Sequence, residues 1–253
     1  MPIQFARQLT GSRRSIQADR RLGWLLAFVA GALNAGGFLA VRQYTSHVTG
    51  SLSSAADHAV LGHWDLVADG VIAVLAFLLG ALCCALLVNL ARRRQLRSEF
   101  AIVLLLEAGL ILLFGLMGAW LSHHETLFVP MTVLLLCFIM GLQNAVITKL
   151  SNAVIRTTHM TGVVTDLGIE LGRLLYVNRR ELPGLEVRAD RTRLRVLAGL
   201  LAAFSGGGLV GAWGFDRHGY VSTLPLAALV AALALMPALD DVRQWLKAAP
   251  PHD

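Results

Sequence analysis

Six apolar runs, each about as long as a bilayer is thick, leave this chain little choice of fold: Leu22 to Val41, Leu66 to Ala91, Phe100 to Leu121, Leu127 to Lys149, Leu194 to Gly214 and Tyr220 to Leu239. A helix needs roughly 20 such residues to cross the hydrocarbon layer. Inside that layer backbone polar groups have no water to bond, so a continuous run reads as a helix that satisfies its own amides. The chain is 56% hydrophobic and only 15% charged, more apolar surface than a water-soluble fold of 253 residues needs. Trp64, Trp120, Trp213, Tyr44, Tyr176 and Tyr220 fall near the ends of the runs, with Trp24 and Trp245 in similar places, as an interfacial belt requires. The bilayer is therefore the first expected partner.

Basic residues set the expected orientation. Arg7, Arg13, Arg14, Arg20 and Arg21 precede the first run, Arg92, Arg93, Arg94 and Arg97 follow the second, and another cluster spans Arg173 to Arg193. With six crossings and both termini in the cytoplasm, all three clusters lie inside, leaving only Arg42 and Arg217 in outside loops. The net charge of +6 then reports orientation and attraction to anionic lipid, with no need to infer nucleic-acid binding. Small-x-small spacing at Ala30-Gly31-Ala32 also fits a cleaved leader, but cleavage there would split a signature that the second half repeats.

That signature is Gly-x-x-Asn-Ala, at Gly31, Asn34 and Ala35 and again at Gly141, Asn144 and Ala145. A polar motif follows each copy: Ser46-His47-Val48-Thr49-Gly50 in the first half and Thr158-His159-Met160-Thr161-Gly162 in the second. The Asn-to-His separation is 13 positions in one half and 15 in the other, so the duplication has diverged. If both motif segments crossed the membrane, the Arg92 to Arg97 cluster would move outside; if only the second did, the Arg179 to Arg193 loop would. Between Thr45 and Gly62 the first segment carries six hydroxyl residues plus His47, Asp57 and His58, and one Asp near the bilayer centre costs about 2.5 to 3.5 kcal/mol. Both segments are expected to be non-spanning, dipping in from opposite faces or lying along the surface.

The expected fold is thus an all-α polytopic bundle of about six spanning helices in two inverted three-helix repeats, each carrying a polar His-x-Thr-Gly helix. Residues 1–21 form a basic N-terminal segment, 22–121 the first repeat, 127–239 the second and 240–253 a short tail. Inverted-repeat membrane proteins place solute sites near the midplane between the repeats. The candidate solute-binding residues are accordingly His47, Thr49, Gly50, His159, Thr161 and Gly162, with Asn34 and Asn144 lining the path. A histidine can donate, accept or take up a proton, a threonine adds a hydroxyl, and a glycine permits close approach. The same residues would serve equally as ties between helices. Glu107, inside the third run, and Asp166, seven residues after His159 and on one helical face with Glu170, are the candidates for proton or ion coupling.

Enzymatic chemistry has little footing. The sequence holds no Walker loop, no Gly-x-Ser-x-Gly and no His-Glu-x-x-His, and no cofactor is expected. Two histidines alone do not make a metal site. Cys83, Cys84 and Cys137 sit in apolar runs as small packing residues. Gly207 and Gly211 form a small-xxx-small stripe for close helix contact, either within the chain or in a homo-oligomer.

Gly141-Leu-Gln-Asn144-Ala145, the run from Arg156 through His159, Gly162 and Asp166, and His47-Val-Thr-Gly50 together resemble the YoaK family of bacterial membrane proteins. The resemblance spans about Leu22 to Leu239 and implies a polytopic inner-membrane protein without an assigned substrate. Relatives often continue the first motif with Asn, whereas this chain has Ser51. The reading on residues alone leaves two functions open: a transporter or channel for a small solute, or a non-transporting scaffold or sensor whose motifs are structural.

Overall fold

The computed structural model describes residues 16–41, 44–96, 98–121, 125–150, 160–177 and 186–248. Eight α-helices and one short 3-10 turn account for the regular structure among them, with no strand. They are α1 (Ile16–Val41), α2 (Val48–Val60), α3 (Trp64–Arg93), α4 (Ala101–Leu121), α5 (Glu125–Leu150), α6 (Met160–Leu175), α7 (Arg191–His218) and α8 (Thr223–Ala248), with the 3-10 turn Gly219–Ser222 between the last two.

Five stretches are long and apolar enough to cross a membrane, and the last of these, Arg191–Leu235, runs through α7 and the 3-10 turn into α8. The chain is a helical membrane protein. Its long helices hold the apolar runs, save that Phe100 precedes α4 and Tyr220 to Ser222 lie in the 3-10 turn, and they overshoot several of them: α1 starts within the basic segment at Ile16, and α8 continues past Leu239 to Ala248. The reason is local. Asp240-Asp241-Val-Arg-Gln-Trp-Leu-Lys contains no glycine or proline to stop a helix already running.

The core lies between α1 and α5. Leu22, Leu26 and Leu33 on the first, and Leu136, Ile139, Met140 and Leu142 on the second, are wholly buried. α7 packs along α1, α3 along α5, and α4 packs against α8 and α5. α3 is the most peripheral span. It exposes Leu75, Leu78, Leu79, Leu82 and Leu86, a face too apolar for water and suited to acyl chains.

Both long interfaces are built by one device. On α1, a methyl group added to Gly31 would lie 2.0 Å from the carbonyl oxygen of Phe204 on α7, and one added to Gly207 would lie 2.0 Å from that of Phe28. On the other side, Gly141 of α5 stands in the same relation to Phe77 of α3, at 2.0 Å, and Gly80 to Phe138, at 2.1 Å. Each glycine lets the neighbouring backbone come closer than any side chain allows. Every one of the four phenylalanines precedes a glycine by three residues, so the two crossings are reciprocal copies: Phe28-x-x-Gly31 meets Phe204-x-x-Gly207, and Phe138-x-x-Gly141 meets Phe77-x-x-Gly80.

Of the two contacts expected of Gly207 and Gly211, the structure shows the internal one: both are buried against α1, Gly211 facing the backbone of Ala32.

Candidate functional site

The first motif folds back toward the interior. After α1 ends at Val41, the chain returns far enough for the Ser46 hydroxyl to bond Asn34 Oδ1 at 2.9 Å. Asn34 lies seven positions before the end of α1, about 10 Å along the helix at 1.5 Å per residue. Thr45, 5% exposed, is carried in with it beside Gly37, and its hydroxyl has no hydrogen-bond partner. Tyr44 closes the fold-back by stacking on Phe38, ring centroids 4.6 Å apart.

His47 then starts α2 as its N-cap residue, without a side-chain capping bond. Its carbonyl accepts from the Ser51 amide (3.1 Å) and hydroxyl (3.3 Å). The ring lies over Gly50, where a methyl group would fall 2.3 Å from Nδ1. This packing gives the His-x-x-Gly spacing a local physical reason. Thr49 faces outward, exposed. From there α2 runs back along the start of α3, Ala55 packing on Gly70, and turns through Gly62, whose φ of +78° suits a residue without Cβ.

In the second half, His159 lies outside the described residues. Thr161 and Gly162 are exposed in the first turn of α6, and nothing lies within 4 Å of where a Gly162 side chain would begin. The Thr161 carbonyl accepts from Thr165 Oγ1 at 2.8 Å. Asn144 is buried on α5, its carbonyl accepting from Thr148 Oγ1 at 2.7 Å. Next to it, Gln143 donates to the Leu26 carbonyl of α1 at 3.2 Å while its own Oε1 has no partner.

Helix α2 packs on α3 and α6 on α7, with no substantial interface between α2 and α6. Among the described residues, then, the structure joins Asn34 to the first motif but does not bring the two motifs together.

The acidic candidates divide sharply. Glu107 on α4 is wholly buried and neither carboxyl oxygen has a hydrogen-bond partner. Asp166 instead pairs with Arg193 Nη2 of α7 at 2.9 Å, both side chains being over 40% exposed. Glu170, 1% exposed, accepts from Arg173 Nη1 (2.8 Å) and from the Asp190 backbone amide (3.0 Å), with Arg193 Nη1 at 3.7 Å. Asp190 in turn caps α7 by accepting from the amides of Thr192 (2.8 Å) and Arg193 (3.1 Å). Those two amide bonds, Arg193's first, hold its carboxyl below the ordinary 3.8, helped by the charges of Arg193 and Arg20.

Asp166 and Glu170 thus fasten α6 to α7. Arg193 and Asp190, which complete the network, lie twenty or more positions away in sequence and carried no motif to mark them. No group of three or more His, Cys, Asp or Glu side chains able to hold a metal occurs among the described residues.

A sequence-family profile described as "Protein of unknown function (DUF1275)" matches residues 22–236. The chain belongs to this family. The match agrees with the YoaK resemblance and covers every long helix from the first apolar run into α8. No curated protein and no solved structure matches the chain significantly. For this DUF1275 member, the arrangement of the site carries the functional argument.

Proposed function

We propose that this protein is a transporter or channel for a small solute in the bacterial inner membrane, built from two inverted three-helix repeats with both termini in the cytoplasm. The repeat is supported by how the helices pair. Exchanging α1 with α5, α2 with α6, α3 with α7 and α4 with α8 turns the α1–α7 contact into the α5–α3 contact, and leaves α1–α5 and α4–α8 paired with themselves. The Phe-x-x-Gly crossings obey the same exchange. Three spanning helices per half is an odd number, so the repeats face opposite ways, and α7 and α8 act as two crossings separated by the 3-10 turn.

The observation that carries the functional reading is the bond from Ser46 to Asn34. It holds irregular, polar backbone well inside the end of a spanning helix, a place tolerated only where protein or a water-filled path surrounds it. In this reading Asn34, Thr45 and His47 line the path in the first half, and their counterparts by sequence in the second are Asn144, Thr161 and Gly162, with His159 outside the described residues. Glu107 is the path's coupling group, since an intramembrane carboxyl without a partner is a functional site by default.

One observation favours the scaffold reading. The His47 ring packs on Gly50, so the motif also works as a structural corner. The two readings separate in proteoliposomes offered a panel of amino acids, sugars, carboxylates and inorganic anions. The transporter reading expects solute-dependent flux that Asn34→Ala and Glu107→Gln abolish while the helical fold survives. No flux for any solute, together with loss of fold in Asn34→Ala, establishes the scaffold instead.

A further inference from the structure

We propose a binding site for one anionic phospholipid at the junction of α6 and α7. A cavity of about 350 Å³ opens there between Leu174, Ala189, Leu194, Arg191 and Arg195. Its wall is apolar. Its charge comes from Arg191 and Arg195, four residues apart in the first turns of α7 and therefore on one face of it. Other basic residues around it are engaged: Arg193 pairs with Asp166 and Glu170, Arg173 with Glu170, and Arg188 with Glu186. Arg191 and Arg195 form no ion pair among the described residues, and the nearby acids Asp166, Glu170 and Asp190 are already bonded.

Two unneutralised guanidinium groups beside leucines, where a membrane helix leaves the bilayer, match a phosphate diester joined to acyl chains. The guanidinium fork suits phosphate oxygens, and Leu174 and Leu194 suit the first methylenes below the glycerol. A soluble anion would use the arginines and leave the leucines wet. Asp190 already caps the amides of Thr192 and Arg193, so recognition falls on the arginine side chains. A second cavity, of about 370 Å³ at the end of α3, repeats the chemistry with Leu86, Leu87, Leu90, Asn89 and Arg93.

The test is native mass spectrometry of the full chain in detergent, titrated with phosphatidylglycerol or phosphatidylcholine. Wild-type protein should retain phosphatidylglycerol preferentially. A basic residue at an anionic membrane surface contributes roughly fivefold, so Arg191→Gln/Arg195→Gln should weaken that binding on the order of 30-fold. Phosphatidylcholine binding should not change, and Arg217→Gln, at the far end of α7, should have no effect. Both arginines are exposed and pair with none of the described residues, so the double variant should keep its circular dichroism and elution volume. Unaltered phosphatidylglycerol binding in that variant overturns the proposal. Displacement of the lipid by millimolar inorganic phosphate overturns it as well, by making the site one for a free anion.

Discussion

Adding a single methyl group at Gly141 tests the architecture most directly. In Gly141→Ala the new Cβ would stand 2.0 Å from the Phe77 carbonyl oxygen and 2.8 Å from its carbon. Ordinary contact begins near 3.4 Å. Backbone atoms cannot swing aside as a side-chain tip can, so α3 and α5 must separate by about 1 Å, and a gap of that size forfeits up to half of each dispersion contact along the interface. Overpacking of this kind costs about 1 to 3 kcal/mol, offset by about 0.5 to 1 kcal/mol because alanine is the better helix former. The net expectation is a loss of about 1 to 2 kcal/mol. Gly109→Ala, where nothing lies within 4 Å, supplies the control, since only the helix preference acts and stability should hold or rise slightly. Reversible unfolding in mixed detergent micelles, followed by circular dichroism, measures both. Gly80 and Gly141 share one crossing, so Gly80→Ala/Gly141→Ala should cost less than the sum of its parts by about 1 kcal/mol. Gly141→Ala/Gly207→Ala spans both crossings and should be additive within about 0.5 kcal/mol. A Gly141→Ala protein as stable as Gly109→Ala, or coupling between glycines of different crossings, would refute the paired-crossing account.

The fastening of α6 to α7 gives a graded comparison: Asp166→Asn should cost at most about 0.5 kcal/mol because the pair is solvated, whereas Glu170→Ala strands the Asp190 amide and should cost about 2 kcal/mol or more, by the same unfolding assay. Because the Asp190 carboxyl titrates below its ordinary value, its capping contribution is present above pH 3.8 and is lost only as pH falls through the lowered folded pKa. The amide resonances of Thr192 and Arg193 should report a midpoint below 3.8, and a midpoint at or above that value would contradict the cap. For the first motif, Gly50→Ala meets only a side-chain ring, which can rotate away, so it should cost under about 1 kcal/mol and nothing further once His47→Ala is present. A full additive penalty in the double variant would mean that the ring does not lie over Gly50.

The sequence made the membrane class, the long helices and the separateness of the short polar helix within 45–62 legible, because each rests on composition over many residues. Apolar length predicts a spanning helix whatever its neighbours. Contacts between distant segments were much less legible. Nothing near Glu170 announces that the amide of Asp190 will bond it, and the helical face shared by Asp166 and Glu170 reads equally as solvated surface until Arg193 is seen against it. Thr45 and Gln143 look like ordinary polar residues in sequence, and their unpartnered atoms follow only from what surrounds them. Helix α8 ran past its apolar stretch because hydrophobicity marks the bilayer's edge and not the helix's end.

The duplicated Gly-x-x-Asn-Ala signature combines two separable roles. Gly31 and Gly141 admit the backbones of α7 and α3, and the phenylalanine three positions before each receives the partner's glycine in return. That half of the signature is packing, and its full form, Phe-x-x-Gly, occurs on all four crossing helices, α3 and α7 included. Asn34, three positions on, points to the motif and holds Ser46 at depth. The asparagine, rather than the glycine, therefore ties α1 to the first His-x-Thr-Gly motif. Duplication by itself argues for symmetry, and a structural corner would be duplicated too. Beside the Ser46–Asn34 bond, the proposal of transport draws on polar atoms that the fold buries without a partner: the Thr45 hydroxyl, the Glu107 carboxyl and Gln143 Oε1. A scaffold would gain by replacing them with apolar residues of similar size, because an unsatisfied buried polar group costs about 1 to 3 kcal/mol. Their retention at that cost is what a solute or a proton would explain.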